Sequence, residues 1–310
     1  MKRVATIFAA IILCVSATSS WAAISLVQKL PSIVISGNVT SAQSAALTAN
    51  PTIGNTLTVT GATFSVSSVS AVTVSDTAGN TWTVDEFRQF NPTAGNFIQS
   101  FIARAPITVT GSSFKITVST GIANSQISFQ VSEWSGGALT LDNSASNDEG
   151  QGTTATGVLG SALSTSGELL LGSFAAGGSK TSMGVSTPAA ITGPALTTAA
   201  TSLGVSQDDS TIIGAEYTYA IASSTSAPTF TWTYTSDTGG SFVSYVGTIA
   251  TYKASGGGSS CTNSGITSSG TIAVPNGTSG SYQGKSGAFV TPDCGSVQYK
   301  QPAVGNFGVN

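Results

Sequence analysis

An all-β fold, with two antiparallel sheets packed face to face, is what this sequence predicts. Three observations lead there. Short runs rich in Val, Ile, Thr and aromatic residues recur along the chain, broken by Gly, Asn, Asp, Ser or Pro, which is the pattern of strands and turns. No segment sustains a 3.6-residue apolar period. Charged residues make up only 7% of the 310 residues. With β-branched and aromatic residues plentiful, that scarcity marks a neutral, hydroxyl-rich folded surface rather than disorder.

The predicted strands begin with Ser32–Ser36, Thr56–Thr60, Ser70–Ser75, Thr81–Val84, Phe97–Ala103 and Ile107–Thr110. They continue with Phe114–Ser119, Gln126–Glu133, Glu168–Phe174, Thr211–Ala222, Thr229–Thr235 and Phe242–Tyr252. Many short strands without helices favour a sandwich over an α/β fold. Only Ala42–Ala49 has helical character, and it stops at Asn50-Pro51. Along Gln126–Glu133, Ile127, Phe129 and Val131 share one face, and Ser128, Gln130 and Ser132 the other, the alternation of a strand with one buried side. Glu168–Phe174 carries Leu169-Leu170-Leu171, apolar on both sides, as a covered central strand would be. Asp76–Trp82 (DTAGNTW) reads as a hairpin with Gly79-Asn80 at positive φ. Thr58–Phe64 echoes Thr108–Phe114, but the likeness does not extend, so a solenoid is not implied.

The N-terminus has the layout of a cleavable export signal: Lys2 and Arg3, an apolar run over 4–17, then Ser20-Trp21-Ala22 with small residues at −3 and −1. Cleavage is expected after Ala22, and the run is shorter than a spanning helix needs. Cys14 lies within the apolar run rather than at a lipidation site. The organisation expected is 1–22 signal peptide, 23–253 sandwich, 254–260 Gly/Ser linker and 261–310 a Cys-containing tail, giving a secreted or extracytoplasmic protein with no anchor after cleavage. Cys261 and Cys294 are the pair left to bridge in that compartment. One such disulfide would stabilise the small tail by roughly 3–4 kcal/mol in the chain-entropy picture.

Thirteen acidic residues stand against ten basic ones, two of which leave with the leader, so nucleic acid is a poor partner. Histidine is absent, which removes the commonest general base and metal ligand and every His-dependent triad.

From about Pro31 to Lys253 the chain resembles a family of secreted bacterial β-sandwich modules of immunoglobulin-like build and unassigned activity. The likeness rests on Gly54–Val59 (GNTLTV), Val69–Trp82 with its D-x-x-G-N-T-W ending, Ile127–Gly136 ending in E-W-S-G, Gly167–Gly172 (GELLLG) and Ser244–Lys253. It implies an immunoglobulin-like or jelly-roll-like sandwich and no particular reaction. The tail lies outside it.

Glu133 falls on the face of Ile127, Phe129 and Val131, where a carboxylate must be hydrogen-bonded or have its pKa raised. It is read as a structural acceptor for the backbone of Ser135-Gly136-Gly137, with a general-acid role as the alternative. Glycoside hydrolysis would need two carboxylates across a cleft, and Glu216, read as solvent-facing, is the best second member. Loop acids Asp148, Glu149, Asp208 and Asp209 offer hard oxygen ligands for Ca²⁺, without EF-hand spacing, so no cofactor is assigned. Phe230, Trp232 and Tyr234 read as a core ladder. Trp134, Trp82 and Tyr245 are the aromatics assigned to ligand contact, because exposed rings stack on sugars. Trp134 is placed on the polar face of its strand. The expected function is therefore a non-catalytic surface module for adhesion or recognition, with glycan or another cell-surface polymer as partner. A structural envelope component and a carboxylate-dependent hydrolase are the alternatives.

Overall fold

The computed structural model describes residues 23–254 apart from 33, 94–95, 124, 150–153, 159–161, 178–182, 186, 208–212 and 237–243, together with four short strands of the tail. Every regular element described is a strand, paired antiparallel. The all-β expectation holds, and more than two sheets carry it.

The first large sheet runs β1 (Leu26–Lys29), β9 (Ser125–Trp134), β4 (Thr56–Ser65), β7 (Asn96–Pro106) and β6 (Thr83–Thr93), with β2 (Val34–Val39) also on β9. A small sheet of β3 (Ser41–Gln43), β8 (Ile116–Ser119) and β5 (Thr73–Asp76) lies against one face. Leu57, Val59, Phe101, Phe129 and Val131 interdigitate there with Phe114, Ile116 and Val118. The second large sheet runs β10 (Leu139–Glu149), β18 (Ser244–Ala254), β12 (Leu169–Gly177), β16 (Ile213–Ala222) and β15 (Leu196–Gln207). Its small partner is β11 (Thr154–Val158), β17 (Thr229–Ser236) and β13 (Met183–Val185), with β14 (Ala190–Thr192) also on β17. Leu170, Phe174 and Ile249 pack there on Phe230 and Trp232.

The two large sheets bury their remaining faces on each other. Ala62, Phe64, Ile98, Ile102 and Trp134 of the first meet Leu169, Leu171, Tyr217, Val246 and Tyr252 of the second. Central strands β4 and β12 are thus covered on both sides, and every residue of each is buried. The run Leu169-Leu170-Leu171 has the burial its composition predicts.

The two halves repeat one topology. Replacing β1, β9, β4, β7, β6 by β10, β18, β12, β16, β15 converts one large sheet into the other, and β3, β8, β5 becomes β11, β17, β13. The local geometry repeats as well. Gly54 (φ 92°) donates its N–H to Ile107 O and Ile107 N–H returns to Asn55 O. Gly167 (φ 84°) donates to Ala222 O and Ala222 N–H returns to Glu168 O. Glycine is needed at both, since only it enters this region of φ without strain. Contacts between the sheets exchange under the same swap: β12 with β7 and β4 with β16, β18 with β7 and β9 with β16, β18 with β6 and β9 with β15. The halves therefore meet through equivalent faces about an approximate two-fold, as in an isologous dimer. Near its centre Ser173 Oγ donates to Gly61 O at 2.9 Å and Ser100 Oγ to Ser173 O at 2.9 Å. Small hydroxyls let the backbones approach while satisfying buried carbonyls.

Two local expectations change. Ala42–Ala49 is no helix: Ser41–Gln43 pairs with β8, and Ala42 and Leu47 are buried beneath it. Asp76–Trp82 is not a hairpin, because β5 pairs with β8 whereas β6 pairs with β7. The motif carries the chain from the small sheet to the large one. Asp76 Oδ1 accepts Ala78 N–H at 2.9 Å and Gly79 N–H at 2.7 Å, and Oδ2 accepts Trp82 Nε1–H at 2.8 Å. Asn80 then pins the 108–109 backbone through its Oδ1 and Nδ2. Gly79 has φ 88°; Asn80 keeps negative φ. Asp76→Ala should therefore lower stability by about 2 kcal/mol, the worth of charge-assisted hydrogen bonds lost from one corner. An unchanged urea midpoint would remove this role.

In the tail, Thr271–Ala273 pairs with Ser296–Gln298 and Gly280–Tyr282 with Lys285–Gly287. The export signal with Cys14, and Cys261 and Cys294, lie outside the described residues.

Candidate functional site

Glu133 ends β9 on the face turned away from the second large sheet, and it is fully buried. Its Oε1 accepts Thr52 N–H at 2.9 Å and Asn55 Nδ2–H at 2.6 Å, and its Oε2 accepts Gln28 Nε2–H at 2.6 Å. Glu133 is hydrogen-bonded, but not by the partners expected of it. The Ser135-Gly136-Gly137 turn does not supply these bonds, because Ser135 N–H is taken by Ser25 O.

Glu216 is not solvent-facing. Among the buried residues, it sits on β16 beneath the second small sheet, where Oε2 accepts Trp232 Nε1–H and Oε1 accepts Thr218 Oγ1–H, both at 2.6 Å. Alternation put it opposite Tyr217, but both faces of β16 are covered, so opposite does not mean outside. Burial pushes its carboxyl up to about 7, against the hydrogen bonds from Thr218 and Trp232. Glu133 and Glu216 project from the outward faces of different large sheets, with both sheets between them. The hydrolase pairing is therefore not assembled.

Two of the three aromatics assigned to ligand contact are core residues. Trp134 is buried, donates Nε1–H to Thr58 Oγ1 at 2.7 Å, and meets Tyr219 edge-on at 5.0 Å. The polar face of β9 that carries it is the face covered by the second large sheet, where Ser128 Oγ also accepts the Tyr217 hydroxyl at 2.8 Å. Tyr245 is buried beside Phe174, ring centroids 6.1 Å apart. Trp232 stacks on both Phe174 and Phe230 at 5.6 Å, in keeping with the core ladder; the side chain of Tyr234 lies outside the described residues. Gly172 and Gly247 make room for Trp232: a Cβ on either would come within 2.8 Å and 3.1 Å of its ring.

Trp82 remains half-buried immediately before β6, the edge strand of the first large sheet, with Val84 and Phe87 also partly covered. This edge is where the predicted ligand-contact residues and partial exposure coincide. Nearby, Asp85 bridges the halves in a cluster that alternation alone gave no means to find. Its Oδ2 lies 2.9 Å from Arg104 Nε and accepts the Tyr252 hydroxyl at 2.8 Å, and Arg104 Nη1 donates to Leu139 O at 3.1 Å. Burial raises the Asp85 carboxyl above its ordinary value despite the Tyr252 and Arg104 partners. The Tyr252 phenol is raised by burial and by the neighbouring Asp85 charge.

The side chains of Asp148 and Glu149, and Asp208 and Asp209 entirely, lie outside the described residues. Among those described, no group of three or more His, Cys, Asp or Glu is placed to hold a metal. No helix there is long and apolar enough to cross a membrane. Comparison with protein-family models, with curated proteins and with solved structures finds no match.

Proposed function

We propose that the chain is an exported, non-catalytic β module that recognises or attaches to cell-surface material, with glycan as the ligand class. The observation that carries the reading is how the fold uses its reactive groups. Glu133, Glu216 and Asp76 are consumed as hydrogen-bond acceptors, and the first two are held on opposite sides of the paired sheets. An enzyme of the glycosidase type needs such carboxylates facing one cleft. Of the assigned aromatics, Trp82 is partly exposed, next to a sheet edge. An indole face beside amide and carboxylate side chains suits stacking on a sugar ring.

Titrating the mature protein with a panel of bacterial and plant polysaccharides, followed by Trp fluorescence, checks this. A saturable change with at least one polymer, lost in Trp82→Ala and kept in Trp134→Phe, is expected. No saturable change with any polymer would remove the glycan assignment. A structural assembly role is the second reading, favoured by β15: it is a twelve-residue edge strand with no charged side chain and with Val205 exposed. Natural edges are usually blunted by charge. Concentration-dependent self-association without polymer binding would favour that reading instead.

A further inference from the structure

We propose that Lys253 and Asp142 join through an intramolecular amide bond in the mature protein, with Ser164 relaying protons to Glu168. This goes beyond the recognition role and stands whether or not a glycan binds.

The reacting groups meet on three neighbouring strands. Lys253 is near the end of β18, Asp142 sits at the register shift where β10 pairs with it, and Glu168 immediately precedes β12 on the other side of β18. Lys253 Nζ lies 3.2 Å from Asp142 Oδ1, and the Asp142 side chain is only 7% exposed. The other carboxylate oxygen, Oδ2, accepts Ser164 N–H at 3.0 Å and Asn143 Nδ2–H at 2.9 Å. Those two donors face the oxygen on which negative charge would grow as the carboxyl carbon becomes tetrahedral.

A proton path leads away from the amine. Lys253 Nζ donates to Ser164 Oγ at 3.3 Å, and Ser164 Oγ donates to Glu168 Oε1 at 3.2 Å. Glu168 is fully buried, and its Oε2 has no hydrogen-bond partner among the described residues. A buried carboxylate oxygen with nothing to accept is costly, and protonation is one relief. Burial, joined by the Asp142 charge, does raise this carboxyl, against hydrogen bonds from Thr165 and Ser164. Glu168 can therefore hold a proton in transit.

The step balances without any co-reactant. The ammonium gives up one proton through Ser164 to Glu168, and the free electron pair of Nζ forms the bond to Asp142 Cγ. The second Nζ proton and the one held by Glu168 pass to Oδ1, the Cγ–Oδ1 bond breaks, and one water leaves. The starting state is the ion pair: despite burial, the Ser164 and Lys253 donors hold the Asp142 carboxyl below its ordinary value. Bond formation is then slow and happens once, driven by the enforced proximity of the pair. The fold does not need this ionic group. In the first half, Ser135 occupies the position of Lys253 and pairs with Ser25 through hydroxyls 2.7 Å apart. The bond would tie the last strand to β10, immediately before the Gly/Ser segment that leads to the tail.

Intact-mass spectrometry on the full mature chain, with any disulfide reduced, tests the proposal. The expected mass is one water below the sequence mass, and proteolysis should release a branched peptide joining Asp142 to Lys253. Lys253→Arg should keep the ion pair and the fold, by circular dichroism, yet show the full mass. A succinimide at Asp142 would also lose water but would survive that substitution, so loss persisting in Lys253→Arg overturns the proposal. Glu168→Gln should stay folded and form the bond at least tenfold more slowly, without the pH dependence of the parent rate. A folded wild-type protein at full mass, with no branched peptide after prolonged incubation from mildly acidic to neutral pH, contradicts the proposal outright.

Discussion

Trp232→Ala is expected to lower the stability of the 23–254 unit by about 4–5 kcal/mol, the upper range for truncating a buried aromatic. Two effects coincide at this position. The indole fills a space that Gly172 and Gly247 leave open, stacked between Phe174 and Phe230, so its removal leaves a cavity that backbone on one side cannot close. Its Nε1–H is also one of the donors to the buried Glu216, beside Thr218 and Ser202, and a carboxylate that loses a donor adds its own desolvation cost. Trp232→Phe separates the two, since it retains most of the packing and loses only the donor; about half the destabilisation should remain. Urea unfolding of the two variants measures both terms, and equal midpoints for Trp232→Ala and the parent would show that this ladder is not the core.

The second large effect is a pH dependence. Glu216 titrates near 7 in the folded chain because burial disfavours its charge, against about 4.3 when unfolded. The folded state therefore binds the proton more tightly. Its contribution is fully present below pH 4.5, falls as pH rises, and is lost above about 7. The difference amounts to about 4 kcal/mol. Glu216→Gln removes the titration while keeping the shape, so the variant should gain on the parent steadily between pH 5 and pH 8. Asp85 and Glu168 are also raised and remain in both proteins, so the difference between parent and variant is the quantity to follow. Parallel stability curves would show that Glu216 is not buried in the way described.

How much of this was legible in sequence depended on which face of a strand was in question. Leu169-Leu170-Leu171 announced a strand covered on both sides. Phe230 and Trp232 announced a ladder. Ser128, Gln130 and Ser132 misled, because a hydroxyl-bearing face was read as solvent-facing. It is the face on which the halves pack, and hydroxyls there serve close approach and hydrogen bonding, as at Ser100, Ser173 and Ser128. Trp134 was misplaced with them. The repeat was hidden for a related reason. The two halves share strand order but not residues: Gly61 pairs with Phe101 in one, and at the matching place Phe174 pairs with Glu216 in the other. Neither identity nor size is kept at either member of the pair. Strands β10 and β15 escaped notice because Ser, Thr, Asn and Ala dominate them and leave little apolar alternation to read.

The Asp76 motif shows the opposite case. Asp76–Trp82 does turn the chain, though not as the hairpin its residue types suggest. Which sheets that turn connects depends on long-range pairing with β8 and β7, which no local pattern encodes.

Two topologically equivalent halves share one core across the faces of their large sheets, while Glu133 and Glu216 are buried on the outward faces of those sheets. Native-state hydrogen exchange on the mature chain tests it most directly. Amides of β4 and β7 and those of β12 and β16 should form a single slowest-exchanging group, opening together with the free energy of global unfolding. Two groups that open with clearly different free energies, one per half, would contradict a shared core.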